Sequence, residues 1–412
     1  MRALRITFML FVVSVLVSQS AMDFFSTVLC FHWCYFVWKS RKTDQPKRLF
    51  EPMGLEKLWA AWIIVVAVGF ALNFNEPAYA LERILEFRWI LIFYVMFQVM
   101  LEIKPERSTL KFVIPFAATI AAVNLFLYYA EIDFLTPWRY GYGEFLRAGG
   151  FFANPMTFAH SFVIFLSFLI GVTLVDFKQW NQQQKTSMVL ILIFSLMGLY
   201  LTFTRGVWFG FIGGLSIGLF LWKPKYIVAM ALAAILGFWS FYSVSPSFRS
   251  RIDRTTAEMN GESERKILWK AHGQIFRENP VFGAGYGQNT KQLARVYSEI
   301  NAPAGTLISH AHNQYIHLAA GTGILGLLCY LGIWGFFLKK SWDLWRWLAT
   351  DSWDKGIALG LIIGQLAFMI GSLTEANFEH SKVRFMVMLA WAYVIYLTLK
   401  YNKNRASIKT SK

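Results

Sequence analysis

His310-Ala311-His312-Asn313-Gln314 closes a polar passage that begins near Ser243 and runs through Glu278-Asn279-Pro280-Val281-Phe282-Gly283-Ala284-Gly285-Tyr286-Gly287. An apolar run then resumes through Gly321, Gly323 and Gly326, and the passage itself carries Arg249, Arg251, Arg254 and Arg265. Elsewhere the chain is hydrophobic segments joined by short connections. A single large polar excursion in such a chain is where chemistry is to be sought.

The surroundings set the class. Of 412 residues, 56% are hydrophobic and 16% charged, with 39 Phe and 17 Trp. Soluble domains carry about 25% charged residues. Together with the positive mean hydropathy, this composition describes a polytopic membrane bundle. The net charge of +16 reads as basic residues holding loops on one side of a membrane. Nucleic acid is not an expected partner, because no soluble basic domain is available to bind it. Cys30, Cys34 and Cys329 all lie in apolar segments, so no disulfide framework is implied.

Windows of about 20 apolar residues give twelve expected helices, at 4–20, 22–38, 57–74, 86–103, 110–130, 156–175, 187–203, 206–222, 226–243, 311–338, 355–373 and 383–400. The first resembles a signal peptide but lacks a clear cleavage site, and reads as an anchor. The chain divides into 1–243 with nine spans, 244–310 as one large loop, and 311–412 with three spans and a tail. Lys39, Arg41, Lys42, Lys47, Lys104, Arg107, Lys178, Lys223, Lys339, Lys340 and the basic tail all fall on one face. That face is cytoplasmic and holds both termini. The large loop then lies outside, together with the 131–155 connection and the bend Thr204-Arg205-Gly206. Within the loop, Arg265, Trp269, His272 and Phe276 recur on one side of an expected helix over 262–278, which Pro280 ends.

Arg205 sits between two apolar runs, where a charge costs about 2.5–3.5 kcal/mol at a helix centre. It either snorkels to lipid phosphates or holds an anionic group in the bidentate geometry suited to phosphate. Arg265, beside Trp269, is either a solvated surface residue or a second phosphate ligand. Arg147 precedes Gly149 and Gly150, which permit close backbone approach, and Arg139 lies in the same connection. His310 or His312 could serve as a general base; alternatively His310, His312 and His317 could bind zinc. No Asp-x-Asp pair lies on the external face, which favours a site without a metal, and no cofactor is expected.

These residues resemble the O-antigen ligases, within the wider O-antigen ligase and polymerase superfamily. The matching pieces are Phe203-Thr204-Arg205-Gly206, Arg265 with Trp269, Asn279-Pro280 leading into Gly283-Ala284-Gly285-Tyr286-Gly287, and His312-Asn313 followed by Gly323-Ile324-Leu325-Gly326. Leu327, where Thr or Val is frequent, is a departure. The resemblance implies an all-α, GT-C-like integral membrane fold of about twelve helices with one large periplasmic loop. It implies transfer of a polysaccharide from undecaprenyl diphosphate to lipid A–core oligosaccharide at the periplasmic face of the bacterial inner membrane, among membrane lipids. It makes His312 the catalytic base and gives the donor diphosphate to Arg205 and Arg265. Arg147 joins them from the loop reading, with His310, Asn313, Trp269 and Arg139 in support. An O-antigen polymerase and a protein O-oligosaccharyltransferase would need the same Arg residues. An anion transporter would also have twelve helices, but it would place its charges near the midplane in repeated halves, and no repeat is evident.

Overall fold

Apolar runs in lipid must satisfy their backbone groups internally, which the helix does. The computed structural model describes residues 2–42, 47, 49–73, 87–105, 139–142, 145–149, 152, 154–246, 248–250, 252–253, 264–349 and 352–410, with isolated positions between 116 and 126. Four helices come first: α1 (Arg2–Val17), α2 (Gln19–Ser40), α3 (Glu56–Leu72) and α4 (Arg88–Ile103). A hairpin, β1 (Arg139–Tyr142) and β2 (Phe145–Ala148), precedes α5 (Pro155–Asp176), α6 (Gln182–Tyr200), α7 (Arg205–Trp222) and α8 (Tyr226–Val244). The polar passage contributes α9 (Glu264–Glu278) and the short α10 (Leu293–Glu299). The chain ends with α11 (Gln314–Trp347), α12 (Trp353–Gly371) and α13 (Ser381–Thr410).

Eleven of the twelve expected apolar segments are helices; the twelfth, 110–130, lies almost wholly outside the described residues. Six described helices are long and apolar enough to cross a membrane: Pro155–Gln179, Arg205–Trp222, Tyr226–Val244, Gln314–Trp347, Trp353–Gly371 and Ser381–Asn402. Local sequence sets their starts. Asn154 accepts a hydrogen bond from Met156 N with Pro155 at the first helical position, and Asn181 forms a reciprocal capping box with Gln184.

Close packing runs along α12, which lies between α5 and α7. Gly206, Gly210 and Gly214 of α7 meet Thr374, Ala367 and Ile363, while Gly171 of α5 backs onto Gly356 and Gly360. Small residues let backbones approach in a bilayer, where apolar burial alone does not drive association. Helix α8 is the opposite case, with no buried residue at all. Its exposed Val228, Leu232, Leu236 and Trp239 suit contact with lipid.

The long α11 differs from the expected 311–338. At 34 residues it would extend about 51 Å, well beyond a hydrocarbon core of about 30 Å. It breaks at Gly323, whose φ is 66°. The groups freed by the break are taken up by the turn that follows α9. Ile324 N donates to Pro280 O at 2.8 Å and Ala284 N to Ala320 O at 2.9 Å. Gly283, with φ 69°, abuts the backbone of 321–323, and Gly323 abuts Val281 and Phe282. The two glycine motifs are halves of one joint that locks the helices of the polar passage onto α11.

Candidate functional site

Above that joint the chain enters α11 through residues 309–313. His312 has φ 46°, a left-handed conformation rare outside glycine. Next to it Asn313 caps α11, accepting from Tyr315 N at 3.0 Å and Ile316 N at 3.1 Å. The same Asn313 donates Nδ2 to Leu373 O at 3.0 Å, and Gln314 N donates to Ser372 O at 2.8 Å. From the other side the Trp269 indole donates to Ala311 O at 2.8 Å. The histidine segment is thus pinned between α9 and the connection from α12 to α13.

That connection supplies Glu375, which lies in a short loop that drew no attention in the sequence. Its side chain is 4% exposed. His312 Nδ1 lies 3.0 Å from both Glu375 oxygens, and His310 Nε2 donates to Glu375 Oε1 in a short hydrogen bond. Burial alone would push the Glu375 carboxyl up. The hydrogen bonds and charges of His310 and His312 outweigh it and hold the carboxyl well below the usual carboxylate range. When the His312 ring is neutral, an ionised Glu375 fixes its proton on Nδ1, leaving Nε2 with a lone pair. Among the described residues His312 Nε2 has no hydrogen-bond partner. His310 differs: its other nitrogen accepts from Ser309 Oγ at 3.3 Å.

His317, expected as a third zinc ligand, is engaged elsewhere. Asn289 Nδ2 donates to its Nδ1 at 3.0 Å, and its Nε2 pairs with Glu379 Oε1 at 2.9 Å. The metal-like donor set is instead His310, His312 and Glu375, with donor atoms within 4.8 Å of one another. Around a tetrahedral zinc with bonds of about 2.0 Å, neighbouring donors stand about 3.3 Å apart. The two 3.0 Å contacts of His312 lie in the range of hydrogen bonds, so the same three groups also form a carboxylate-oriented pair of imidazoles. A cavity of about 400 Å³ beside the cluster is lined by Gly287, Lys291, Ser309, His310, His317 and Glu379, among others. His310 borders it, and the His312 ring lies 4.4 Å from that of His310.

The Arg residues separate by role. Arg205 is the first residue of α7, and its neighbour Gly206 packs against Thr374, so the start of α7 meets the loop that bears Glu375. Arg265 lies one helical turn before Trp269 on α9, on the face tied to Ala311. Arg147 is buried, donating Nε to Thr202 O at 2.8 Å and Nη2 to Thr204 Oγ1 at 3.0 Å. Those bonds brace the turn that launches Arg205. The Arg139 side chain lies outside the described residues, as do Arg251 and Arg254. Arg249 closes the end of α8, donating to Tyr242 O and Ser243 O.

The fold is thus an apolar helical bundle of the membrane-protein class, with arginine-bearing helix starts and a carboxylate-oriented imidazole pair. Residues 190–331 match the family model described as O-antigen ligase, Wzy_C. That match, over about a third of the chain, supports similarity to the O-antigen ligase family and points to a ligase- or polymerase-type, glycosyltransferase-like function. The match takes in Arg205, Arg265, His312 and both glycine motifs, while Arg147 and Glu375 lie beyond it. No curated protein matches the chain.

Proposed function

We propose that this chain is an O-antigen ligase of the bacterial inner membrane. It transfers a polysaccharide from undecaprenyl diphosphate to lipid A–core oligosaccharide at the periplasmic face. Twelve spans keep both termini cytoplasmic, and residues 244–310 form the external loop. The observation that carries the reading is His312, held at Nδ1 by a buried carboxylate with Nε2 left to accept a proton.

In the reaction, a hydroxyl of the core sugar gives its proton to His312 Nε2 as its oxygen attacks the donor's anomeric carbon. The bond from that carbon to the diphosphate oxygen breaks, and undecaprenyl diphosphate leaves carrying the bonding electrons. Direct displacement inverts the anomeric centre. Glu375 stabilises the imidazolium that forms, and the charge developing on the leaving diphosphate is met by Arg205 and Arg265, preorganised at helix ends. No metal is required for any of these steps.

The test is ligation by the purified protein in detergent, with the lipid-linked polysaccharide and lipid A–core as substrates. His312→Ala should abolish product and His310→Ala should retain most of it. Near-normal ligation by His312→Ala would overturn the base assignment. Glycan elongation without consumption of lipid A–core would favour a polymerase, and transfer to an added Ser- or Thr-bearing protein would favour an oligosaccharyltransferase.

A further inference from the structure

Beside the turn 377–379, Glu379 borders the histidine cavity and also a second one. This second cavity, of about 450 Å³, is lined by Gln19, Arg88, Asn154, Lys382 and Arg384, among others. Four helices begin at its wall: α2 at Gln19, α4 at Arg88, α5 directly after Asn154, and α13 at Ser381. A helix start carries roughly half a positive charge and prefers acidic neighbours. Here no first turn of the four holds an acid. Arg88, Lys382 and Arg384 stand there instead, against the helix dipole.

Two of these cations are withdrawn from water. Arg384 is 4% exposed and Lys382 7%. The Arg384 guanidinium lies over the Trp89 ring and donates Nη2 to the Glu379 carbonyl at 2.5 Å. Its Nε is buried and has no hydrogen-bond partner among the described residues. Lys382 Nζ sits 4.2 Å above the centre of the Phe152 ring. The acids nearby are committed: Asp23 pairs with Arg88 at 3.1 Å and Glu379 with His317 at 2.9 Å. Helix ends and buried cations around one cavity, with a guanidinium donor left over, call for an anion with several acceptor oxygens, which is a phosphate group.

The level of the cavity says what carries the phosphate. Lys382 and Arg384 lie in the first turn of Ser381–Asn402 and Asn154 precedes Pro155–Gln179, two helices long and apolar enough to cross a membrane. Their starts fall where lipid headgroups lie. We infer that this cavity binds the phosphate of a lipid headgroup, as an anion site separate from the one assigned above to Arg205 and Arg265. On the proposed function, and resting on it, this site would seat a phosphorylated glycolipid acceptor on the far side of Glu379 from the histidines.

The experiment uses the full chain in neutral detergent, with lipid adducts counted by native mass spectrometry. The probes are phosphatidic acid, phosphatidylcholine and inorganic phosphate. The wild type should favour phosphatidic acid at least tenfold over phosphatidylcholine, and the Lys382→Gln/Arg384→Gln double variant should lose that preference. Arg88→Gln, at a side chain that is largely exposed, gives a partial loss and serves if the double variant does not fold. His312→Ala should bind phosphatidic acid as the wild type does, so failure of this site and failure of the proposed transfer reaction are read separately. An unchanged preference in the folded double variant, or in Arg88→Gln should the double not fold, overturns the inference. So does equal binding of the two lipids by the wild type. Binding of inorganic phosphate without phosphatidic acid would overturn the lipid part of it.

Discussion

Two regions meet at the N-terminal part of α11 and hold it by different means. The joint between 280–284 and 320–325 is made of backbone: positive-φ glycines and amide-to-carbonyl bonds across a helix break. The corner of His310, His312 and Glu375 is made of side chains and charge. The joint decides where the corner stands, and the corner alone has protons to move. A change in the first should therefore be read in stability before activity, and a change in the second in activity before stability.

The largest effect is expected at His312. Loss of a positioned base costs about 10²–10⁴-fold, so His312→Ala should lose at least two decades of ligation while its melting temperature stays near the wild-type value. Equal loss of both would erase the contrast between the regions. Glu375→Gln keeps the shape and removes the charge. A hydrogen bond to a charged group contributes about 1.5–3 kcal/mol, which corresponds to a rate loss of about 10- to 100-fold. The loss should appear in kcat more than in KM, because Glu375 acts through His312. A fall confined to KM would mean that Glu375 shapes substrate binding instead.

The joint is tested by Gly323→Ala. The new Cβ would meet the Val281 carbonyl, and the left-handed backbone costs a non-glycine residue about 1–2 kcal/mol before any clash. A drop in melting temperature of several degrees or more is expected. Gly335→Ala, on the same helix, is the control, since a Cβ there meets nothing within 4 Å. Equal melting of the two variants would show that the joint is not what holds α11.

How much of this could be read in the chain follows from the same contrast. Helices were legible because hydropathy over about 20 residues is a local property, and α9 because its apolar and aromatic residues recur at helical spacing. The start of α11 shifted to Gln314 because Asn313 serves as its cap, a choice that capping chemistry allows but does not dictate. The glycines at 283, 285 and 323 stood out as motif residues, yet nothing local says that 283 faces 323. Glu375 was missed because it meets His312 across 63 residues from a short, otherwise plain loop. Its visible signal was two acids and a histidine (Glu375, Glu379 and His380) directly before a span. The contact of Arg147 with Thr202 was not legible, since the turn it braces lies 55 residues further on.

The smallest effect expected separates the joint from the corner by pH. Burial, and then the neighbouring His317 ring, pushes the His272 imidazole on α9 down to about 3. In the unfolded chain it titrates near 6.5. Between those values the unfolded chain binds the extra proton, so stability falls as pH drops below about 6.5. Glu375 acts in a lower window: its carboxyl is depressed in the fold, so its contribution is full above about 4.3 and is lost only as pH falls towards the folded value. Acidification from pH 7 to pH 5 therefore tests His272 without Glu375, and the linkage amounts to about 2 kcal/mol. His272→Gln, which keeps a donor for the Leu268 carbonyl but cannot titrate, should flatten the fall in melting temperature across that range. A wild-type slope retained in His272→Gln would show that His272 does not carry the acid sensitivity and would shift it to another histidine such as His380, whose imidazole desolvation also pushes down.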